Sequence, residues 1–109
     1  MRLIPKKYRD QIARDPFMEI CLLRSDGNCH GRITWEHPWI YGGKQIVEPW
    51  ATVPLCWRHH LMKMDKRTKD YCRWVSLLRA KPEDLKTYAR RDWTSERNHL
   101  NQLFLKSKV

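Results

Sequence analysis

Apolar and polar positions alternate in one short stretch near the middle of the chain. Residues 32–37, RITWEH, carry β-forming side chains at every second position, which predicts a short strand with one buried face. Pro38 follows and should end it. A second short strand is expected around residues 50–53, between two prolines. The two strands together predict a small sheet.

Helical spacing dominates the rest of the chain. A short helix is expected between Pro5 and Pro16. From Cys56 to Lys81 neither proline nor glycine interrupts the sequence, and the spacing predicts one amphipathic helix. The apolar face of that helix is Leu61, Met64, Thr68, Tyr71, Val75 and Leu78.

A further helical segment is expected from Pro82, with acidic residues in its first turn. Its apolar positions are Leu85, Tyr88, Ala89 and Trp93, and those of a last piece at about 94–106 are Leu100, Leu103 and Phe104. Whether these form one helix or two is open. The expected fold class is α+β: one domain, 1–109, with a strand–strand–helix core at about 20–80 and helical extensions at both ends, the C-terminal one at about 82–106.

The size of the chain limits its apolar core. With 109 residues and 41% hydrophobic content, it buries a smaller share of its surface than a large domain does. No apolar run is long enough for a signal peptide or a membrane span. A cytoplasmic protein with reduced thiols is expected, and its four cysteines then favour metal ligation over disulfides.

The charge balance favours a polyanionic partner. Lys and Arg number 22 against 12 Asp and Glu, a formal net charge of +10. Such a field attracts nucleic acid, which is the first partner expected. A membrane partner is not expected, because the basic residues are not gathered on one apolar, Trp-edged helix.

Three cysteines and a histidine have the spacing of a structural zinc site. Cys21 and Cys29 flank a Ser-Asp-Gly-Asn turn, and Cys56 and His59 form a C-x2-H pair at a helix start. Four such ligands in two turn-linked pairs suit tetrahedral zinc. The alternative is three cysteines buried as small apolar residues, with His59 on the surface. Cys72 is expected in the core.

His59 and His60 should serve different sites, because adjacent helical residues project about 100° apart. If His59 completes the zinc site, His60 faces the strand end at Glu36 and His37. A carboxylate and two imidazoles can hold a divalent cation, while one histidine removes a proton from the attacking water. The alternative is a hydrogen-bonded structural His37 and a Glu36 paired with a basic side chain.

These residues resemble the HNH endonucleases, which have a ββα-metal fold and, in many members, a zinc knuckle. The resemblance covers about residues 20–65 and is closest to small phage and prophage members. It is carried jointly by Cys21/Cys29, Glu36-His37-Pro38, Gly42-Gly43, and Leu55-Cys56-Trp57-Arg58-His59-His60 followed by Lys63.

The resemblance implies His37 as general base, His60 as a ligand of the catalytic metal and Glu36 in place of the usual acidic ligand. His59 would replace the more common cysteine in the zinc site. Zinc would be structural, and the catalytic ion Mg²⁺ or Mn²⁺, with Ni²⁺ or Zn²⁺ as alternatives. The resemblance also implies DNA as the partner, with RNA as the second possibility, and a bacterial or phage-infected cell. No small-molecule substrate is expected.

The sequence departs from the HNH pattern at the middle asparagine. That position falls near Ala51, and Trp50-Ala51-Thr52 offers no amide side chain. Gln45, Glu48 and Thr52 are candidates to take its place.

Basic side chains after the cysteine–histidine pair are expected to contact the nucleic-acid backbone without reading sequence. Arg58 is a candidate phosphate ligand, with a plain surface arginine as the alternative. The predicted contact residues are Arg58, Lys63, Lys66, Arg67 and Arg73.

The leading functional hypothesis is a metal-dependent HNH endonuclease that hydrolyses DNA with low sequence specificity. The alternative is a catalytically weak or inactive zinc-stapled nucleic-acid-binding module, such as a phage recombination or packaging accessory. A protein-interaction domain is a third possibility without a positive feature. The oligomeric state is left open.

Overall fold

Helices and a small amount of β-sheet make up the part of the chain that the computed structural model describes, residues 4–62 and 65–105. This confirms the α+β class. The strands are β1 (Ile33–Glu36), β2 (Ile40–Tyr41), β3 (Lys44–Gln45) and β4 (Val53–Cys56). The helices are α1 (Lys6–Arg14), α2 (Trp57–Leu61), α3 (Lys66–Arg79), α4 (Pro82–Lys86) and α5 (Trp93–Phe104). Short 3-10 helices span Pro16–Glu19, Arg24–Asp26 and Pro49–Ala51.

Strands β1 and β4 pair antiparallel, with Ile33 opposite Cys56 and Glu36 opposite Val53. The strand predicted at residues 50–53 lies three residues later in the chain: a 3-10 helix occupies Pro49–Ala51, and β4 begins at Val53. Pro49 suits the first position of a helical turn. Pro54 is tolerated within β4 because both strands of a two-stranded sheet are edges.

Strands β2 and β3 form a second, smaller hairpin in the connection between β1 and β4. Its turn is Gly42-Gly43, where φ is 60° and 79°. Two successive positive φ angles match the twist of a two-residue hairpin, and glycine adopts them without steric cost. The predicted glycine loop is thus the tip of a hairpin.

The single helix predicted from Cys56 to Lys81 is wrong. Helix α2 ends at Leu61, and Met62 is extended with ψ 139°. Helix α3 begins after Asp65, whose side chain accepts a hydrogen bond from the Thr68 N–H at 2.8 Å. A carboxylate at this position caps a helix start and therefore separates the two helices.

The predicted apolar face of that helix was also wrong in part. Leu61 and Leu78 are 64% and 58% exposed. Met64 lies outside the described residues, and Thr68, Tyr71 and Val75 are half-buried. The buried apolar side chains of α3 are Cys72, Trp74 and Leu77.

Most of the apolar burial is in one cluster, called here the aromatic core. Within it, Trp74 stacks on Phe104 of α5 with 5.2 Å between ring centroids, and Trp39 meets Trp93 edge to face at 5.0 Å. The Trp39 Nε1–H donates to Ser76 Oγ at 2.7 Å. The aromatic core comprises Trp39, Ile46, Trp50, Ala51, Trp74, Leu77, Trp93, Leu100 and Phe104.

The C-terminal segment forms two helices, α4 and α5. Leu100 and Phe104 are buried as expected, whereas Ala89 lies between the helices and is exposed. A second, smaller cluster contains three buried apolar residues, Cys21, Leu55 and Cys56. No helix in the described ranges is long and apolar enough to cross a membrane.

Candidate functional site

The side chains of Cys21, Cys29, Cys56 and His59, called here the cysteine cluster, converge on one point. Their four ligand atoms all lie within 4.8 Å of one another. The His59 Nδ1 atom is 3.5 Å from Cys21 Sγ, 3.6 Å from Cys29 Sγ and 3.2 Å from Cys56 Sγ. Tetrahedral zinc, with bonds of about 2.3 Å to sulfur and about 2.0 Å to nitrogen, separates such atoms by about 3.6 Å. The group is therefore suited to holding a metal such as zinc.

Local backbone geometry brings the four side chains together. Cys56 ends β4 and caps α2, where its sulfur accepts a hydrogen bond from the His59 N–H at 3.5 Å. The chain between the first two cysteines turns back through Gly27 and Asn28, with φ 79° and 61°. Glycine and asparagine are the residues that most readily adopt this left-handed conformation. This turn brings Cys21 and Cys29 together, although seven residues separate them in the sequence.

Two thiols of the cysteine cluster, Cys29 and Cys56, have pKa values shifted in opposite directions. Burial, hydrogen bonds to Cys21 and Cys56 and the charges of both raise the pKa of Cys29 to about 11. Burial also opposes ionisation of Cys56, but hydrogen bonds involving the backbone of His59 and His30 and the side chains of His59 and Cys29 lower its pKa to about 6. Because thiolates are the ligands of zinc, metal binding must release protons here.

The second ring nitrogen of His59 is buried and has no hydrogen-bond partner. Asp26 Oδ2 lies 3.5 Å from it. A carboxylate beside the outer nitrogen is the common orienting partner of a metal-binding histidine. Cys72 is not a member of this group: it is buried in α3, where burial raises its pKa to about 12. This agrees with the core position predicted for Cys72.

Glu36, His37 and His60 form a second group, called here the acid–histidine site. Glu36 and His37 follow one another at the end of β1, and α2 brings His60 Nε2 to 3.5 Å from Glu36 Oε1. His59 and His60 thus face different groups, as their helical offset predicted. All three residues of the acid–histidine site are half-buried.

Two threonine hydroxyls determine which ring nitrogen of each histidine carries the proton. Thr52 Oγ1 donates to the Glu48 carbonyl at 2.9 Å and lies 3.1 Å from His37 Nδ1. Thr34 Oγ1 donates to the Leu55 carbonyl at 2.8 Å and lies 2.5 Å from His60 Nδ1. Because each hydroxyl has one hydrogen, it must accept from the histidine Nδ1–H. In the neutral form of each histidine, the unprotonated nitrogen is therefore Nε2.

The ionisation of His37 suits a proton acceptor. Burial is the largest cause and lowers the pKa of His37 below its usual range. The charge of Glu36 raises this pKa, the charge of His60 lowers it, and a hydrogen bond to the Ala51 backbone raises it. The imidazole is therefore neutral near pH 7.

Of the three candidates for the missing asparagine, Thr52 contacts His37. The Glu48 carboxylate instead accepts hydrogen bonds from Trp50 Nε1, at 3.3 Å, and from the Tyr88 hydroxyl. Gln45 pairs with Ile40 across the small hairpin. Sequence reasoning missed Thr34, although β-strand alternation puts it on the same face as Glu36.

The predicted nucleic-acid contacts are dispersed. The Arg58 side chain donates to the Asn28 carbonyl at 3.3 Å, and the Arg67 guanidinium lies 5.0 Å from the centre of the Phe104 ring. Lys66 and Arg73 both pair with Asp70, at 3.0 and 3.3 Å. Arg73 also donates to the Pro38 carbonyl at 3.1 Å. Lys63 lies outside the described residues, and these five contacts stay predictions.

Comparisons of the chain with protein-family models, curated proteins and solved structures find no match. Function must therefore be inferred from the side chains. Within the described residues, the cysteine cluster is the one group of three or more Cys, His, Asp or Glu side chains close enough to share an ion. Glu36 and His60 supply only two such ligands, which leaves positions for water and substrate.

Proposed function

We propose that this protein is a metal-dependent HNH-type endonuclease that hydrolyses phosphodiester bonds in DNA. The observation that carries the proposal is the approach of His60 to Glu36, the residue directly before His37, with the Nδ1 atom of each histidine in contact with a threonine hydroxyl. The net charge of +10 supports a polyanionic substrate.

His37 is the general base. The Thr52 hydroxyl holds its Nδ1–H, so the Nε2 lone pair is free to take a proton from water. The lowered pKa of His37 keeps this lone pair available at neutral pH. Thr52 then performs the orienting role that an asparagine has in the HNH pattern.

Glu36 and His60 are the ligands of the catalytic ion. The Thr34 contact leaves His60 Nε2 as an acceptor, and it lies 3.5 Å from a carboxylate oxygen. Two acceptors facing each other repel unless a cation lies between them. A divalent ion at this place supplies charge stabilisation to the phosphodiester. Mg²⁺ or Mn²⁺ fits such a site, and Ni²⁺ or Zn²⁺ are alternatives.

Zinc in the cysteine cluster has a structural role. Its ligand His59 is adjacent to His60, so a filled cysteine cluster fixes the helix that presents the catalytic ligand. All four positions around the metal are protein ligands, which leaves none for substrate.

The test is nicking of supercoiled plasmid by zinc-loaded protein with added Mg²⁺, Mn²⁺ or Ni²⁺. His37→Ala should slow cleavage by about 10²- to 10⁴-fold, because it removes the base. His99→Ala changes an exposed histidine on α5 and is the matched control; it should cleave like the parent protein. Absence of cleavage with every ion, or full activity in His37→Ala, would contradict the proposal.

The alternative function is a zinc-stapled nucleic-acid-binding module without turnover. The absence of an amide side chain at residues 50–52 is the observation that favours it. It predicts retention of DNA on folded, zinc-loaded protein and no metal-dependent nicking in the same assay.

A further inference from the structure

Trp57 differs from the other five tryptophans of the chain. Trp39, Trp50, Trp74 and Trp93 are buried and Trp35 is half-buried, whereas Trp57 is 46% exposed. An exposed indole keeps a large apolar face in water, which folding alone does not favour. The aromatic core does not include it.

The backbone holds Trp57 firmly. Its N–H donates to the Arg32 carbonyl at 2.8 Å, which extends the pairing of β1 with β4 by one residue. Its side chain lies against Gly31, where an added Cβ would be 2.6 Å from the Trp57 Cβ. Only glycine leaves room for the indole at this position.

Trp57 lies beside the acid–histidine site. It is three residues before His60 in α2, a spacing that puts side chains next to each other on a helix, with about 5–6 Å between Cβ atoms. Arg32 precedes Thr34 and Glu36 at two-residue intervals, so strand alternation puts it on the face that meets His60. An aromatic ring and a guanidinium therefore flank the proposed catalytic residues.

Two arginines, Arg32 and Arg58, are backbone neighbours of Trp57. Arg32 is exposed, Arg58 follows Trp57 directly, and exposed His30 accepts the Arg58 backbone N–H at 3.0 Å through its carbonyl. The nearest acidic groups have other neighbours: Asp26 faces His59, and Glu36 faces His60. An exposed aromatic ring among basic side chains is the arrangement that binds single-stranded nucleic acid.

We propose that Trp57 stacks on an unpaired base next to the scissile phosphate, and that Arg32 binds a neighbouring phosphate. The substrate class is then single-stranded or locally unpaired nucleic acid, because base faces in an intact duplex are covered by their neighbours. This deepens the proposed function and depends on it for the position of the scissile bond. The positive surroundings favour this ligand over an apolar protein surface at Trp57 and Leu61.

Binding is tested without cleavage, on zinc-loaded protein with no added divalent ion. The probes are labelled oligo-dT and oligo-rU of about 16 nucleotides and a DNA duplex of equal length. Single strands should quench the tryptophan fluorescence of the parent protein. Trp57→Ala should weaken single-strand binding by about 5- to 100-fold and leave duplex binding unchanged. Trp57→Phe should retain most of the affinity, whereas Trp57→Leu should behave like Trp57→Ala, because leucine has no aromatic face.

Arg32→Gln should weaken binding to every probe and reduce the salt dependence by about one phosphate contact. Zinc content and melting temperature should match the parent protein in each variant. The proposal is overturned if Trp57→Ala binds both single strands normally, if Trp57→Leu binds as well as Trp57→Phe, or if sedimentation shows a dimer that depends on Trp57. Trp57-dependent binding without plasmid cleavage would instead contradict the proposed nuclease function alone.

Discussion

Two regions of the molecule bury different amounts of apolar surface. The aromatic core, called here the core end, buries four tryptophans together with Phe104 and aliphatic side chains. The region around Cys21, Leu55 and Cys56, called here the cysteine end, buries these three residues, with only partly buried apolar neighbours. Apolar burial can stabilise the core end, and metal ligation would add stability to the cysteine end.

The acid–histidine site takes one residue from each end. His37 is oriented by Thr52, which directly follows the core residues Trp50 and Ala51. His60 directly follows His59 of the cysteine cluster. The proposed general base therefore depends on the aromatic core for its orientation, and the proposed metal ligand depends on the cysteine cluster.

Loss of zinc should have the largest effect. Cys56→Ser, or removal of zinc by a chelator, deprives the cysteine end of a contribution that is about 10–16 kcal/mol in small zinc domains. Hydrogen exchange should show lost protection in α2 and β1, with α3 and α5 retaining more. Cys72→Ala is the matched control, since Cys72 lies in α3 and should leave one zinc per chain. Equal protection with and without metal would show that the cysteine end is stable on its own.

Truncation of the aromatic core should have the next largest effect. Trp93 is buried and lies 5.0 Å from Trp39 and 5.8 Å from Trp50, measured between ring centroids. Trp93→Ala should lower the free energy of unfolding by about 3–5 kcal/mol, measured by urea denaturation. Zinc content should stay unchanged, because the cysteine cluster holds its metal separately. A variant that loses its zinc while folded would mean that the two ends are not independent.

The two threonines should give the smallest and most selective effects. Thr52→Val should reduce the maximal cleavage rate by about 5- to 100-fold, and Thr34→Val should mainly raise the metal concentration required, since each loses the hydroxyl that contacts a histidine and a backbone carbonyl. In the parent protein the rate should rise with pH through a midpoint below 6.5, because burial lowers the pKa of His37 and the base must be neutral. Cleavage is measured against pH and metal concentration. Identical profiles for the two variants would show that the histidines are not positioned separately.

The cysteine cluster could be predicted because its ligands come in two local pairs. Cys56 and His59 lie within one helical turn, and a turn-forming sequence joins Cys21 to Cys29. Glu36 and His37 were recognisable from their place after an alternating strand. These features depend on a few consecutive residues, which sequence reasoning handles well.

The predictions for α3 and for Thr34 failed mainly because residues distant in the sequence determine the structure there. The buried face of α3 is set by α5, since Trp74 packs on Phe104 and donates to Asn101 Oδ1 at 2.9 Å. Helical spacing alone cannot specify that partner. The break before α3 did have a local signal, the capping Asp65, which the uninterrupted helical pattern concealed. The role of Thr34 depends on pairing β1 with β4, which brings His60 across from another segment.

The Tyr88 hydroxyl donates to the carboxylate of Glu48, whose carbonyl accepts from Thr52. A chain shortened to end at Lys81 would keep every proposed ligand and the base, but it would lose Tyr88 and the α5 half of the aromatic core. The loop that carries Thr52 would then lack the hydrogen bond from Tyr88 to Glu48. To transfer this site to another protein scaffold, a designer would therefore have to include Tyr88 and α5 as well as the proposed ligands. A design limited to the ligands would leave these supporting residues out.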